Sequence, residues 1–275
     1  MSYFTNKVVV VTGGSDGIGR ALVDTLMAQG AIVSTCGRSH DKLYQLQTTY
    51  AGKPFISYTA DVSEEQQCAN FIDATVKTFG TIDILINNAG ISMRALFAET
   101  EIQTLRKVMD INFWGVVHGT QAFLPHLKAS GDGHVINISS VFGLVSIPTQ
   151  SAYNAAKFAV RGFTDALRIE LEIDDSGVSA TTIHPGGIKT NIARNARVDE
   201  ATAELSGDVG DPGDMFEKIA MTKPSKAAKQ ILAAVEKNKR RALIGPDAKV
   251  FDLVSRLPAG FYQRLLINGA KRQRK

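Results

Sequence analysis

The 275-residue chain has only two cysteines, Cys36 and Cys68, far apart in sequence, and five histidines without HxxxH or mixed Cys/His spacing. These shortages argue against a disulfide framework and a zinc site, and no metal is expected. They suit a reducing compartment, so a cytoplasmic protein is expected. No apolar run reaches the roughly 18 residues that a spanning helix needs. The opening Met1 to Lys7 moves directly towards a strand, without the charged and apolar segments of a secretory signal. No polar linker divides the chain, so one domain over residues 1–275 is expected. A basic binding face is missing too. The net charge of +4 comes from Lys271, Arg272, Arg274 and Lys275; the remaining 27 Lys and Arg balance 27 Asp and Glu. The basicity belongs to the tail, and nucleic acid is not expected as a partner.

What the chain does have is an alternation of short β-branched runs and helical patterns, which reads as α/β. Lys7 to Thr12 (KVVVVT) is continuous and β-branched, as in a parallel strand buried on both faces. It leads into Gly13-Gly-Ser-Asp-Gly17-Ile-Gly19 and a helical pattern from Arg20 to Gln29. Strand, glycine loop and helix together accept phosphate: the backbone approaches closely, and the free N–H groups and dipole of the helix start favour negative charge. An ordinary tight turn is the plainer reading, but the next strand, Ala31 to Cys36, arrives where a nucleotide fold needs it.

That strand ends in Gly37-Arg38-Ser39 instead of an acidic residue. An acid there accepts hydrogen bonds from a ribose 2′-hydroxyl, whereas glycine leaves room and arginine pairs with a 2′-phosphate. NADP(H) is therefore expected over NAD(H), although Asp16 adds no second basic contact. Further strands are predicted at Phe55 to Ala60, Ile82 to Ile86, Gly133 to Ile138, Val178 to Ile183 and Arg241 to Ile244. Asp61, at the end of the third, either meets an adenine amino group or caps the helix that follows. Helical patterns run over 41–50, 64–79, 100–118, 152–172, 226–239, 247–257 and 260–267.

Within the pattern over 152–172, Tyr153 and Lys157 are spaced i, i+4 and so share one face. A neighbouring cation favours phenolate, so Lys157 is expected to lower the Tyr153 pKa and ready the phenol to exchange protons with a substrate oxygen. Taken alone, the pair reads more plainly as a half-buried tyrosine beside a snorkelling lysine.

The motifs T12-G-G-S-D-G-I-G19, D61-V62, N87-N-A-G90, Asn112, Ser140, Tyr153-N-A-A-Lys157 and P185-G-G-I-K-T190 appear together and in order. In this the chain resembles the short-chain dehydrogenase/reductase family over about residues 5 to 192. The resemblance implies a three-layer, doubly wound Rossmann fold with a seven-stranded parallel sheet and a site at the strands' carboxyl ends. It implies a catalytic set of Asn112, Ser140, Tyr153 and Lys157. In that set Lys157 also binds the nicotinamide ribose, and Asn112 perturbs its helix to hold a water in a proton relay. Against the cofactor it sets Gly13, Ser15, Asp16, Gly17, Ile18 and Gly19 of the glycine loop; Gly37, Arg38 and Ser39; Asp61 and Val62; and Asn88, Ala89 and Gly90. Tyr153 and Lys157 join them, with Pro185, Gly186, Ile188 and Thr190 of the nicotinamide turn.

A substrate pocket is expected from Met93, Phe142, Val145 and Ile147, whose apolarity favours a hydrophobic ketone, aldehyde or secondary alcohol. Ser139 and His184 are read as structural. The family resemblance further implies a homodimer or homotetramer packed through the helix of Tyr153, and a substrate lid over residues 191–222. Residues 246–275 form a C-terminal extension. Its apolar positions, Val250, Phe251, Val254, Leu257, Phe261, Leu265 and Leu266, precede KRQRK. This end packs on the body or across a dimer, or else touches an anionic membrane surface weakly. Two rival functions go with these readings: a membrane-surface reductase of lipid ketones, and a non-catalytic NADP(H)-binding redox sensor.

Overall fold

In a computed structural model, which describes residues 1–192, 194, 196–198 and 220–273, the alternation becomes a layered sheet. Its strands are β1 Val8–Thr12, β2 Ile32–Gly37, β3 Phe55–Thr59, β4 Ile84–Asn87, β6 Gly133–Ile138, β7 Val178–Pro185 and β9 Arg241–Ile244. They pair in parallel in the order β3-β2-β1-β4-β6-β7-β9. The two-residue strands β5 Met93–Arg94 and β8 Arg197–Val198 pair separately. The helices are α1 Gly17–Ala28, α2 His40–Thr49, α3 Glu65–Phe79, α4 Ile102–Met109, α5 Gly115–Ser130 and α6 Ser151–Ile173. They continue with α7 Pro224–Glu236, α8 Pro246–Ser255 and α9 Ala259–Gln273. The fold is the doubly wound Rossmann arrangement.

Alternation along the strands divides two apolar layers. Val9 and Val11 join Leu22, Leu26, Leu46 and Ile231 on the face covered by α1, α2 and α7. Val10 and Leu85 join Phe71, Phe123, Leu127 and Leu171 beneath α3, α5 and α6. This is why β1 and β4 read as unbroken apolar runs: both faces are covered.

The chain leaves β1 towards β2 and β3, then returns to lay β4 on the opposite side of β1. The reversal opens a crevice at the carboxyl ends of β1 and β4, the usual ligand position in such sheets. Asn88 steadies it: its N–H and that of Ala89 donate to Thr12 Oγ1 at 3.0 and 3.1 Å, and its side chain donates to the carbonyls of Thr12 and Gly13.

Two predicted elements differ. The pattern over 100–118 is α4, a π-helical turn at Asp110–Trp114, and α5 continuing to Ser130. The last pattern extends as α9 to Gln273. Of the predicted lid, residues 199–219 lie outside the described residues. Its ends meet where Lys189 N–H donates to the Thr222 carbonyl at 2.9 Å.

Candidate active site

A cavity of about 1590 Å³ runs along the carboxyl ends of β1, β2, β4, β6 and β7. Most residues predicted for the site line it: Gly13, Ser15 to Ile18, Gly37 to Ser39, Asp61, Val62, Asn88 to Gly90, Ser140, Tyr153, Lys157, Pro185, Gly186, Ile188 and Thr190. Phe142 and Ile147 line it as well.

Four predicted residues stand outside the cavity wall. A Cβ on Gly19 would come within 2.2 Å of the Gly13 carbonyl and 2.5 Å of Asn88 Nδ2, so this glycine lets α1 close onto the loop instead of touching a ligand. Met93 packs in a small core with Ala95, Val108 and Ala152, and Val145 is 2% exposed. Neither side chain lines the cavity in this structure; both are buried. Asn112 is fully buried one layer back. It accepts from Ile91 N–H at 2.8 Å and donates to the Ile91 carbonyl at 2.9 Å. The π-helical turn that contains Asn112 interrupts the regular helix at this clasp.

The clasp reaches the cavity through Gly90. A Cβ there would sit 3.0 Å from Asn112 Oδ1 and 3.7 Å from Lys157 Nζ, so the space beside Gly90 joins the two groups. Lys157 is 4% exposed and donates to the Ile138 carbonyl at 2.9 Å. Its Nζ lies 5.6 Å from the centroid of the Tyr153 ring. Burial draws the ammonium down to about 8.

Tyr153 corrects the expected pKa. Burial pushes its phenol up to about 12, and a hydrogen bond with Ser140 opposes that only in part. Desolvation of the phenolate outweighs the nearby lysine, whose ammonium is turned to a carbonyl, so the phenol is protonated at neutral pH. Such a group is suited to donating a proton.

Ser140 begins a short 3₁₀ turn at Val141–Gly143 and caps it, its Oγ accepting from Phe142 N–H at 3.1 Å. Ser139 Oγ donates to the Lys157 carbonyl at 2.8 Å, a structural tie to α6. His184 Nδ1 donates to the Ser140 carbonyl at 2.7 Å, which fixes its tautomer. Burial holds this imidazole down to about 4, so it is neutral and positions the serine.

At the other end, Arg38 lies 3.7 Å from Asp61. Asp61 Oδ1 accepts from Ser63 N–H and Oγ at 3.0 and 2.7 Å, closing a turn one residue before the cap of α3. Lys42, in the first turn of α2, also lines the cavity and pairs with Asp16 at 2.5 Å. Burial pushes the Asp16 carboxyl up, but hydrogen bonds from Lys42 and from Gly17 N–H hold it below its ordinary value. Asp16 thus draws a second cation, Lys42, to the cavity wall.

A second unanticipated residue is Asp247. Its Oδ2 accepts from Gly187 N–H at 2.5 Å, and it lines the cavity. Phe251 and Tyr262 bring α8 and α9 to the same wall. Among the described residues no group of three or more His, Cys, Asp or Glu is placed to hold a metal.

The arrangement fits a nicotinamide dinucleotide. Side-chain-free backbone faces the cavity at a helix start, cations stand at the end of β2, and a tyrosine–lysine pair stands across from the Pro185–Thr190 turn. Comparison with known proteins agrees. A family model described as short chain dehydrogenase matches residues 7–201. The chain belongs to the short-chain dehydrogenase/reductase family.

Members of this oxidoreductase family use nicotinamide cofactors. SadH of Mycobacterium tuberculosis, named as an oxidoreductase, is 43% identical over 272 residues, covering 98% of this chain and 97% of that protein. The dehydrogenase/reductase SDR family member 7B of Mus musculus is 34% identical, covering 100% of this chain and 84% of its own. Among solved structures, a family member from Burkholderia phymatum in complex with NAD superposes with a TM-score of 0.83. It is 25% identical, with coverage of 96% of this chain and 97% of that one. Levodione reductase superposes with a TM-score of 0.77 at 28% identity, with coverage of 90% and 99%.

Proposed function

We propose that the protein transfers hydride between NADP(H) and a hydrophobic ketone or aldehyde, and in reverse oxidises a secondary alcohol, with Tyr153 as acid and base. The observation that carries this reading is the meeting of Tyr153, Ser140 and Lys157 on the wall that also carries the glycine loop and the Pro185–Thr190 turn. When bound, the nicotinamide supplies or accepts the hydride.

In reduction, Tyr153 donates its proton to the substrate oxygen as negative charge develops there. Ser140, held by its cap and by His184, donates a hydrogen bond to the same oxygen. Lys157 stabilises the phenolate left behind, since an adjacent cation favours the charged phenol. It would also hold the nicotinamide ribose. The space beside Gly90 leads from Lys157 to Asn112, and through it the proton is resupplied. Ile188 and Thr190 would hold the carboxamide end, on a turn fixed by Asp247.

Arg38 and Lys42 support NADP(H) over NAD(H), two cations being suited to a 2′-phosphate. Phe142, Ile147, Phe251 and Tyr262 support an apolar substrate. Copies of the chain associate through the α5–α6 face, where Trp114, Phe158, Ile169 and Ile173 are exposed. Screening apolar ketones and aldehydes for NADPH consumption, with NADH in parallel, tests the reading. Turnover with NADPH preferred is expected; tight NADPH binding without turnover on any carbonyl or alcohol would contradict it.

A further inference from the structure

We infer that the α8–α9 helix pair docks on an anionic lipid surface. The helices are apolar on two sides. Inward, Phe251 packs edge-on against Phe142 with centroids 6.3 Å apart, and Tyr262 lines the cavity. Outward, Val250 and Leu253 lie three apart on α8, Leu257 stands between the helices and Phe261 opens α9, and none of the four lines the cavity. They are 62%, 65%, 41% and 54% exposed. The body covers the inner side of these helices only, and among the described residues nothing covers the outer apolar side chains.

Charge selects the occupant. Within α9 there are Arg264 and Arg272 outside the cavity wall, Lys271 at its edge, and no acidic residue, and the sequence adds Arg274 and Lys275. Among the described residues none of the three cations of α9 takes part in an ion pair. Of the two carboxylates on α8, Asp247 is turned to Gly187 and Asp252 pairs with Arg256 at 2.7 Å. Across a two-fold axis, a second copy would set these cations against their own like. A negatively charged bilayer covers the apolar stripe and pairs with the cations together. Because the inner side of the same helices lines the cavity, docking sets the cavity wall at the lipid boundary. Delivery of an apolar substrate from the bilayer rests on the proposed function; the docking itself does not.

The test uses the full chain and sedimentation with phosphatidylcholine vesicles, with and without phosphatidylserine. Binding is expected only with phosphatidylserine. Leu253→Glu/Phe261→Glu, at positions exposed and outside the cavity wall, is expected to abolish it. Arg264→Ala/Arg272→Ala is expected to weaken it about 25-fold, at about fivefold per cation near the surface. Absence of binding, equal binding to both compositions, or binding unchanged in both variants would overturn the inference. So would sedimentation velocity showing that Leu253→Glu/Phe261→Glu splits an oligomer, which would make the face a contact between copies. NADPH turnover of a water-soluble ketone, followed without vesicles, reports separately on the proposed chemistry and is expected to be unchanged in both variants.

Discussion

The carboxylate of Asp247 accepts the backbone N–H of Gly187 at 2.5 Å, joining the first turn of α8 to the turn that follows β7. The C-terminal extension therefore braces the Pro185–Thr190 segment. A hydrogen bond to a charged group contributes about 1.5–3 kcal/mol. Asp247→Ala is expected to lower unfolding stability by about that amount and to raise the NADPH Kd, with Asp247→Asn restoring most of both. Denaturant titration and fluorescence titration of NADPH measure the two effects. An unchanged Kd in Asp247→Ala would detach this residue from the cofactor site.

Arg38 and Lys42 stand at the same end of β2. Replacing either by Ala is expected to weaken NADPH binding about 10- to 100-fold, in line with the loss of a charge-assisted hydrogen bond. NADH binding should barely change. Calorimetric titration of both cofactors decides it, and parallel losses for NADPH and NADH would count against a 2′-phosphate contact.

Much of this site is legible in the sequence because its parts are local. A β-branched run, a glycine loop and an i, i+4 pair each carry their own geometry, and the strand ends collect them. What is not legible depends on contacts between distant residues. Asp247 meets Gly187 sixty residues away, and Lys42 meets Asp16 across 26 residues that include α1 and β2. Met93 and Val145 show a different limit: apolar character suits a pocket wall and a core equally, and only packing decides. The π-helical turn at Asn112 is legible only through the family resemblance, which implies a perturbed helix there; no local residue pattern marks it.

Lys157 is a buried cation whose pKa falls from 10.5 to about 8. Because the folded value lies below the unfolded one, the charged lysine costs stability below about pH 8, and the cost is relieved as pH rises towards 10.5. The shift corresponds to about 3 kcal/mol, offset by about 1 kcal/mol for the bond to Ile138. Lys157→Met is expected to stabilise the cofactor-free protein by about 2 kcal/mol near pH 7 while removing turnover. Urea unfolding at a series of pH values checks this, and a gain that grows above pH 8 would contradict it.

His134 and His184 are both held down to about 4 by burial, from 6.5. Their contribution is complete above the unfolded value and is lost as pH falls from 6.5 towards 4. Unfolding free energy is expected to fall by close to 2.7 kcal/mol per pH unit between about pH 5 and 6, about 1.36 for each histidine. Two-state urea curves give the slope, and a flat profile would mean that both imidazoles titrate normally.

The central claim is that the Tyr153 phenol exchanges the proton that accompanies hydride transfer. Tyr153→Phe removes one oxygen from a ring that packs against Phe142, leaving the apolar contacts in place. The direct measurement is NADPH-coupled turnover of the best ketone from the screen, with NADPH affinity and thermal unfolding followed in the same variant. The account predicts intact folding, NADPH binding within about threefold of the parent, and kcat reduced by at least 100-fold, the scale of positioned acid–base catalysis. A folded Tyr153→Phe protein that keeps most of its kcat would contradict it.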